Sequence, residues 1–216
     1  MPPKKIATLD SVKKRKAGGK KRANKRKRPA DAKSTNLNER IDSDERKRRK
    51  VLQRGRNKIS ILFDGKGIES AICREIRRKD THFVVGCIAW LSNKKILKEM
   101  ASKRGVCIIC TRDKLTRASS NQIAYSKLKQ AFPGGAIRIV GDGRGWHKST
   151  MHHKFLIGLD SAGKPLWVTN GSFNMTTHAL SNLENLMVHD DPGVAEKFYE
   201  EFRRVHAIST KLRIKT

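Results

Sequence analysis

The sequence predicts an α/β domain in which helices sandwich a mixed, largely parallel sheet, preceded by a disordered basic tail. Three observations support this prediction. Short apolar, β-branched runs recur through residues 58–216, amphipathic stretches with helical spacing lie between them, and residues 1–57 show neither pattern. Because strands that alternate with helices favour parallel neighbours, the apolar runs indicate central strands buried on both faces. We therefore expect a tail over 1–57 and one folded domain over 58–216.

The first elements of the folded domain are a strand, ISILF, and an amphipathic helix, GIESAICREIRR, with isoleucine at every fourth position. The run HFVVGCIAWL predicts a buried strand. In the next helix, Ser92 is a candidate N-cap and Gly105 is a candidate left-handed terminator. Order is thus expected to begin near Ile59.

The remaining elements begin with the strand VCIICT and the helix SSNQIAYSKLKQAF, which PGG closes. The strand AIRIV follows. The strands KFLIGL and PLWVT flank DSAGK, where Gly163 suits a hairpin turn. NLMVH predicts a late strand, and a final helix begins at Pro192, because proline is favoured in the first helical turn.

The basic residues are concentrated at the start of the chain. Residues 1–58 hold 23 Lys and Arg against 6 Asp and Glu, a net charge of +17 out of +29, and no aromatic residue. Such a segment buries too little apolar surface to offset its ordering entropy, so it is expected to be disordered. Its clusters, such as KKRANKRKRP, are typical of nuclear import signals or phosphate-binding arms. We expect a nuclear protein, or one associated with nucleic acid in the host cell if the chain is viral, with the cytoplasm as a further alternative, and nucleic acid as its partner.

The four cysteines do not indicate a metal site. Cys107 and Cys110 are spaced C-x-x-C but lie in a predicted strand, where residues three apart point to opposite faces. No second pair or nearby histidine completes a ligand set, so structural thiols in a reducing compartment are favoured. No run of 18 apolar residues predicts a membrane span. We expect no metal and no other cofactor.

Polar residues cluster around the predicted strands of the C-terminal half. His152, His153 and Lys154 precede KFLIGL, Asn170–Thr176 reads NGSFNMT, and Asn182–Asn185 reads NLEN. Gly171 permits close backbone approach, while the Ser172 hydroxyl and the Asn174 amide can donate to phosphate oxygens. Lys154 adds positive charge, and a carboxylate such as Glu184 can orient an imidazole. These residue types in this order indicate a phosphate site.

This set resembles the H-x-K, G-S-x-N and E-N signature of the phospholipase D superfamily, over residues 59–205. The single-motif branch is most similar, and it includes a bacterial endonuclease and the mitochondrial cardiolipin hydrolase (Zucchini) group. The resemblance implies His152, Lys154, Asn174 and Glu184 as catalytic residues, and Lys154, Gly171, Ser172 and Asn174 as phosphate ligands. The family pattern leaves four residues between Lys and Asp, whereas Asp160 follows one position later, and that Asp is structural in the family.

The resemblance also implies a mechanism and an assembly. One histidine attacks phosphorus and forms a phosphohistidine, a second histidine protonates the leaving oxygen, and no metal takes part. Because the signature occurs once in this chain, two copies must face each other, which implies a symmetric homodimer. His153 is expected to point away from the site, since neighbours on a strand alternate faces.

Three functions are compatible with the sequence. The first is a metal-independent nuclease acting on DNA or RNA, which the basic composition favours. The second is a lipid phosphodiesterase of the phospholipase D or cardiolipin hydrolase type, with anionic lipid as substrate. The third is an inactive protein that binds nucleic acid. The residues alone do not separate DNA from RNA or endonuclease from exonuclease action.

Overall fold

The computed structural model describes residues 50–54, 57–141 and 149–214, with side chains from residue 58 onward. The bounds of the nine strands are Lys50–Arg54 (β1), Asn57–Leu62 (β2), Phe83–Ile88 (β3), Gly105–Thr111 (β4), Ile137–Val140 (β5), Lys154–Leu159 (β6), Pro165–Gly171 (β7), Leu186–Asp190 (β8) and Thr210–Lys211 (β9). The bounds of the helices are Gly65–Arg77 (α1), Lys94–Ala101 (α2), Ser119–Tyr125 (α3) and Pro192–Ile208 (α4), with a 3₁₀ turn at His178–Ser181.

All the strands belong to one sheet, in the order β1-β2-β8-β7-β6-β3-β4-β5-β9. The α/β class with helices on both faces is confirmed, but the expectation of a largely parallel sheet is wrong. Only the β3–β4 and β4–β5 pairs are parallel, and the other six are antiparallel. The reason lies in the connections: helices α2 and α3 join β3, β4 and β5, whereas a short hairpin joins β6 to β7 and residues 172–185, which include the 3₁₀ turn, reverse the chain between β7 and β8.

Each face of the sheet has its own apolar core. Helices α1, α2 and α3 cover one face, where Ile68, Ile96 and Tyr125 pack against the strands. Helix α4 covers the other face through Phe202 and Val205. Cys110 belongs to the first core and Cys107 to the second, which confirms that the C-x-x-C pair points to opposite faces. All four thiols are free and buried.

Several local expectations need correction. The N-cap of α2 is Asn93, whose side chain accepts hydrogen bonds from the backbone of Lys95 and Ile96, while the Ser92 N–H donates to a backbone carbonyl. Gly105 starts strand β4 and does not end a helix. Helix α3 ends at Tyr125, well before the expected residue 132, because Lys129 and Ala131 pair through their backbones with β4. Gly163 does turn the β6–β7 hairpin, with φ of +80°.

The N-terminal boundary also differs from the sequence prediction. Strand β1 lies within the segment 1–57 that was expected to be tail, and it pairs antiparallel with β2 from Lys50 to Arg54. Lysine and arginine at the ends of an edge strand discourage pairing with other chains. The positive charge that predicted a disordered tail is therefore also compatible with an edge strand. The expectation for residues 1–49 lies outside the described residues. Among the described helices, none is long and apolar enough to cross a membrane.

Candidate active site

The predicted site residues meet at one edge of the sheet. Strand β6 begins there, β7 ends there and β8 begins there, because the three strands are antiparallel neighbours. The register pairs Phe155 with Asn170 and Gly171 with Leu186. The carboxyl ends of β3 and β4 reach the same edge, where Ile88 pairs with Lys154. Backbone pairing therefore brings together three motif segments that are separated in the sequence.

His152 and Lys154 form the centre of this edge. The Lys154 ammonium Nζ lies 3.2 Å from each ring nitrogen of His152 and donates a hydrogen bond of 2.9 Å to the His152 carbonyl oxygen. Partial burial lowers the pKa of His152 below its ordinary value, and the positive charges of Lys154 and His153 lower it further. Burial also lowers the pKa of Lys154, which the nearby Glu184 carboxylate partly opposes. The His152 ring is therefore neutral near pH 7 and able to act as a nucleophile.

His153 points to the opposite face, as the alternation of strand side chains predicts. Its Nε2 lies 3.4 Å from the Glu201 carboxylate of helix α4, and its ring packs 5.6 Å from the ring of Phe155. Its carbonyl accepts a hydrogen bond from the Ala89 N–H, which ties the residue to the end of β3. His153 thus fastens the sheet to α4 and does not face the site.

A second cluster joins the end of β7 to the start of β8. The Ser172 hydroxyl donates to the Glu184 carboxylate at 2.5 Å and accepts from the Asn185 N–H at 3.0 Å. The Asn182 amide donates to the other Glu184 oxygen at 3.3 Å. Within one chain, Glu184 therefore holds Ser172, and no hydrogen bond joins it to the His152 ring in the described residues. This places the carboxylate beside Ser172, in the segment that was predicted to bind phosphate.

Gly171 is required by the protein itself. A Cβ atom built at Gly171 would lie 2.3 Å from the Asn185 carbonyl oxygen, which no side chain can tolerate. The group that approaches Gly171 closely is therefore the backbone of Asn185. The Asn185 carbonyl oxygen also accepts a hydrogen bond of 3.2 Å from the Ser172 N–H. Glycine at this position lets the two strand ends approach closely enough for the Ser172–Glu184 cluster to form.

Asn174 holds an unsatisfied polar group. Its side-chain Oδ1 is buried and has no hydrogen-bond partner among the described residues. A buried unpaired amide oxygen is costly, so such a group often awaits a ligand or water. Because rotation by half a turn exchanges the amide oxygen and nitrogen, the same side chain can present a donor to a phosphate oxygen. Asn174 fits the predicted role of a phosphate ligand.

The sequence analysis missed two residues of this edge. The Trp90 ring lies perpendicular to the His152 ring with centroids 5.5 Å apart, and Lys154 Nζ lies 6.0 Å from the Trp90 centroid. The Trp90 indole N–H donates to the Asp113 carboxylate, and the Thr116 N–H donates to the other oxygen of Asp113 at 2.8 Å. Trp90 therefore restricts the His152 ring. Their sequence positions could have indicated this site, because Trp90 and Asp113 each follow one of two parallel strands that end at the same edge.

Asp160 lies at the opposite edge of the sheet. Its carboxylate accepts hydrogen bonds of 2.8 Å from the N–H groups of Ala162 and Lys164 and closes the β6–β7 hairpin. Asp160 therefore lies beyond the end of β6 that is far from His152. Among the residues that the structure describes, no group of three or more His, Cys, Asp or Glu side chains could hold a metal ion.

Comparison with known proteins gives a consistent family and fold. The sequence model of the family described as cardiolipin synthase, PLD-like domain, matches residues 72–206. Among solved structures, NucT from Helicobacter pylori matches 72% of this chain and 99% of its own, with a TM-score of 0.57 and 16% identity. Nuc from Salmonella typhimurium, a phospholipase D family member, matches 73% of this chain and 99% of its own, with a TM-score of 0.52 and 20% identity.

A viral protein is also similar in sequence. Protein L381 of Acanthamoeba polyphaga mimivirus is 25% identical over 57% of this chain. The matched region spans 58% of the length of that relative, so the two proteins correspond only in part.

Proposed function

Since the chain belongs to the PLD-like family, within the phospholipase D-like phosphodiesterases, we propose that it is a metal-independent nuclease acting through a phosphohistidine at His152. One observation carries the proposal: the His152 imidazole lies 3.2 Å from the Lys154 ammonium group at the open edge of the sheet. The ring supplies the nucleophile, and the ammonium stabilises the charge that develops on the phosphate oxygens.

The proposed reaction has two steps. A ring nitrogen of His152 bonds to phosphorus while the bond to the leaving oxygen breaks, and a protonated histidine opposite gives its proton to that oxygen. The second histidine, now neutral, then takes a proton from water, whose oxygen displaces His152 from phosphorus. Lys154 and Asn174 would hold the non-bridging oxygens in both steps, and the Ser172 hydroxyl would join them by turning its hydrogen from Glu184 to the phosphate.

Charge favours nucleic acid over lipid as the substrate. The full chain has a net charge of +29. Binding to a polyphosphate releases many condensed counterions and is therefore more favourable than binding to a single lipid headgroup. The folded domain is itself basic, so the preference does not depend on the tail alone. Cleavage of cardiolipin in vesicles, with no cleavage of oligonucleotides, would replace this proposal with the lipid alternative.

We propose that the active form is a homodimer across the His152 edge. One chain contains one H-x-K motif, and its neutral His152 cannot be both nucleophile and acid in the same step. Large apolar side chains flank this edge in exposed positions: Phe63, just after β2, is 48% exposed, and Leu183, just before Glu184, is 54% exposed. Exposed apolar groups beside an incomplete site suit burial against a second copy.

The metal requirement can be tested on a small substrate. We expect cleavage of bis(p-nitrophenyl) phosphate to continue at an unchanged rate in excess EDTA, because the imidazole and ammonium groups supply the nucleophile and the charge. The control is the same assay after addition of Mg²⁺, Mn²⁺ or Zn²⁺ to chelator-treated protein. Loss of activity in EDTA with recovery on adding one of these ions would contradict the proposal.

The dimer can be tested by mixing subunits. We expect co-expression of wild-type chains with an excess of tagged His152→Ala chains to give mixed dimers with little activity per wild-type chain, because each site needs two histidines. A matched mixture with His153→Ala chains is expected to retain activity, since that ring faces α4. An active species that scattering shows to be a monomer would rule out the shared site.

A further inference from the structure

A basic groove lies on the β5–β9 side of the sheet, away from the His152 ring. Its volume is about 1030 Å³, and it runs between the loop after β4, helix α3 and the segment that contains β9. Most of its polar lining residues are cationic. The polar side chains that line it include Arg112, Arg117, Ser119, Gln122, Lys211 and Arg213.

The charge of the groove has no counterpart within the described protein. Four of the lining side chains are cationic and none of the described lining residues is acidic. None of Arg112, Arg117, Lys211 and Arg213 forms an ion pair with a described carboxylate, whereas most arginines of α1 and α4 do. Clustered like charges repel one another, so this arrangement destabilises the free protein and favours an anionic ligand.

Arg112 provides a separate indication of a ligand. Its Nη2 donates a 3.1 Å hydrogen bond to the Thr210 hydroxyl, which fixes the guanidinium against the β9 segment. Its Nε is buried and has no acceptor among the described residues. An arginine N–H left without an acceptor is costly when buried, and a phosphate oxygen is its preferred partner.

The groove is connected to the His152 edge by the backbone of the sheet. The Ala89 N–H donates to the His153 carbonyl, the Thr111 N–H donates to the Ala89 carbonyl, and the Arg112 N–H donates to the Val140 carbonyl. Arg112 is therefore two strands away from β6. Because neighbouring strands lie about 4.8 Å apart, this is a backbone separation of about 10 Å, which a segment of a few nucleotides can span.

We propose that this groove binds the sugar–phosphate backbone of the nucleic-acid strand that is cleaved at His152, an assignment that rests on the proposed function. Four cations along an open groove suit a repeated anion better than a single phosphate. Ser119 also lines the groove, and its hydroxyl can contact sugar oxygens. The groove thus extends the site in one direction and selects polymers over small diesters.

The test uses the full chain and three exposed groove cations, which are changed together as Arg117→Gln, Lys211→Gln and Arg213→Gln. The matched control removes the same charge at the opposite edge of the sheet through Lys58→Gln, Lys79→Gln and Lys164→Gln, all exposed positions without ion pairs in the described residues. Both triple variants are made in a His152→Ala background for binding to an oligothymidylate of about 20 residues, so that the probe stays intact.

We expect the groove variant to flatten the slope of log K against log salt by about 2, because each single-strand phosphate contact contributes about 0.7. The control variant is expected to change the slope little. Equal slopes for the two triple variants would overturn the proposal, because net charge alone would then explain the binding. The proposal would also be overturned if the groove variant lost binding to phosphatidylglycerol vesicles but kept its binding to the oligonucleotide.

A second measurement separates this proposal from the proposed function. With His152 intact, the groove variant is expected to cleave bis(p-nitrophenyl) phosphate at the wild-type rate and to cleave the oligonucleotide at least about tenfold more slowly at physiological salt. Loss of small-diester cleavage would show that the groove is not separate from the site, and would overturn the proposal. If the wild type cleaves no diester but the slope difference stands, the nuclease function fails and the groove survives as a binding site.

Discussion

Replacing His152 by alanine is expected to lower the rate of phosphodiester cleavage at least about 10³-fold, because the substitution removes the nucleophile itself. The ring is exposed at the sheet edge, so its removal leaves both apolar cores intact. The measurement is kcat on bis(p-nitrophenyl) phosphate, together with rapid quenching in alkaline denaturant, which preserves the acid-labile phosphohistidine and should detect it in the wild type alone.

The neighbouring histidine provides a matched control for this variant. His153→Ala removes the same side chain one position along the chain, but that ring contacts Glu201 and Phe155 on the α4 face. We expect it to keep kcat within a few-fold of the wild type and to lose only a small amount of stability, since its ion pair is partly exposed. Equal losses of activity for the two variants would exclude His152 as the nucleophile.

Replacing Lys154 by methionine is expected to lower kcat about 10²- to 10³-fold, the usual effect of removing one charged group that stabilises a transition state. Methionine keeps the length and apolar stem of the lysine while removing its charge. Lys164→Met is the control, since Lys164 lies exposed at the other end of the same β6–β7 hairpin. A Lys154→Met enzyme with wild-type kcat would place the phosphate elsewhere on the sheet edge.

The same variant has a second signature in its pH dependence. Burial and then the charge of Lys154 lower the pKa of His152, which keeps the nucleophilic ring neutral down to lower pH. Without that charge the pKa of His152 rises toward its ordinary value. The acid limb of the pH–rate profile is therefore expected to move to higher pH, so that activity falls more at pH 6 than at pH 8. Titration of the His152 ring protons by NMR would check the shift directly.

Much of the fold could be predicted from local patterns. The strands with continuous apolar runs, such as β3 and β4, were identified because their burial on both faces is visible in composition alone. The start of α4 at Pro192 was identified for the same kind of local reason. The assignment of Ser92 as a cap failed because Asn93 also hydrogen-bonds Glu69 of α1, a contact across 24 positions that no local rule includes.

The candidate site was only partly visible in the sequence. His152, Lys154, Ser172 and Glu184 were found because their order and spacing match a known signature. Trp90 and Asp113 were not found, since Trp90 ends an apolar run and Asp113 lies in a loop with no recognisable pattern. Their roles depend on β3 and β4 ending beside the start of β6, which is a property of the strand order.

The sequence by itself determined the α/β class, the buried strands and the facing of His153, because each of these follows from composition or from a period of two or four residues. The main polar residues were identified through their resemblance to a family signature. The tertiary structure alone decided the mixed direction of the sheet, the pairing of Ser172 with Glu184 and the contact of Trp90 with His152. These depend on which strands become neighbours. Strand neighbours are chosen by hydrogen bonding and packing between segments far apart in the chain, and no local pattern encodes that choice.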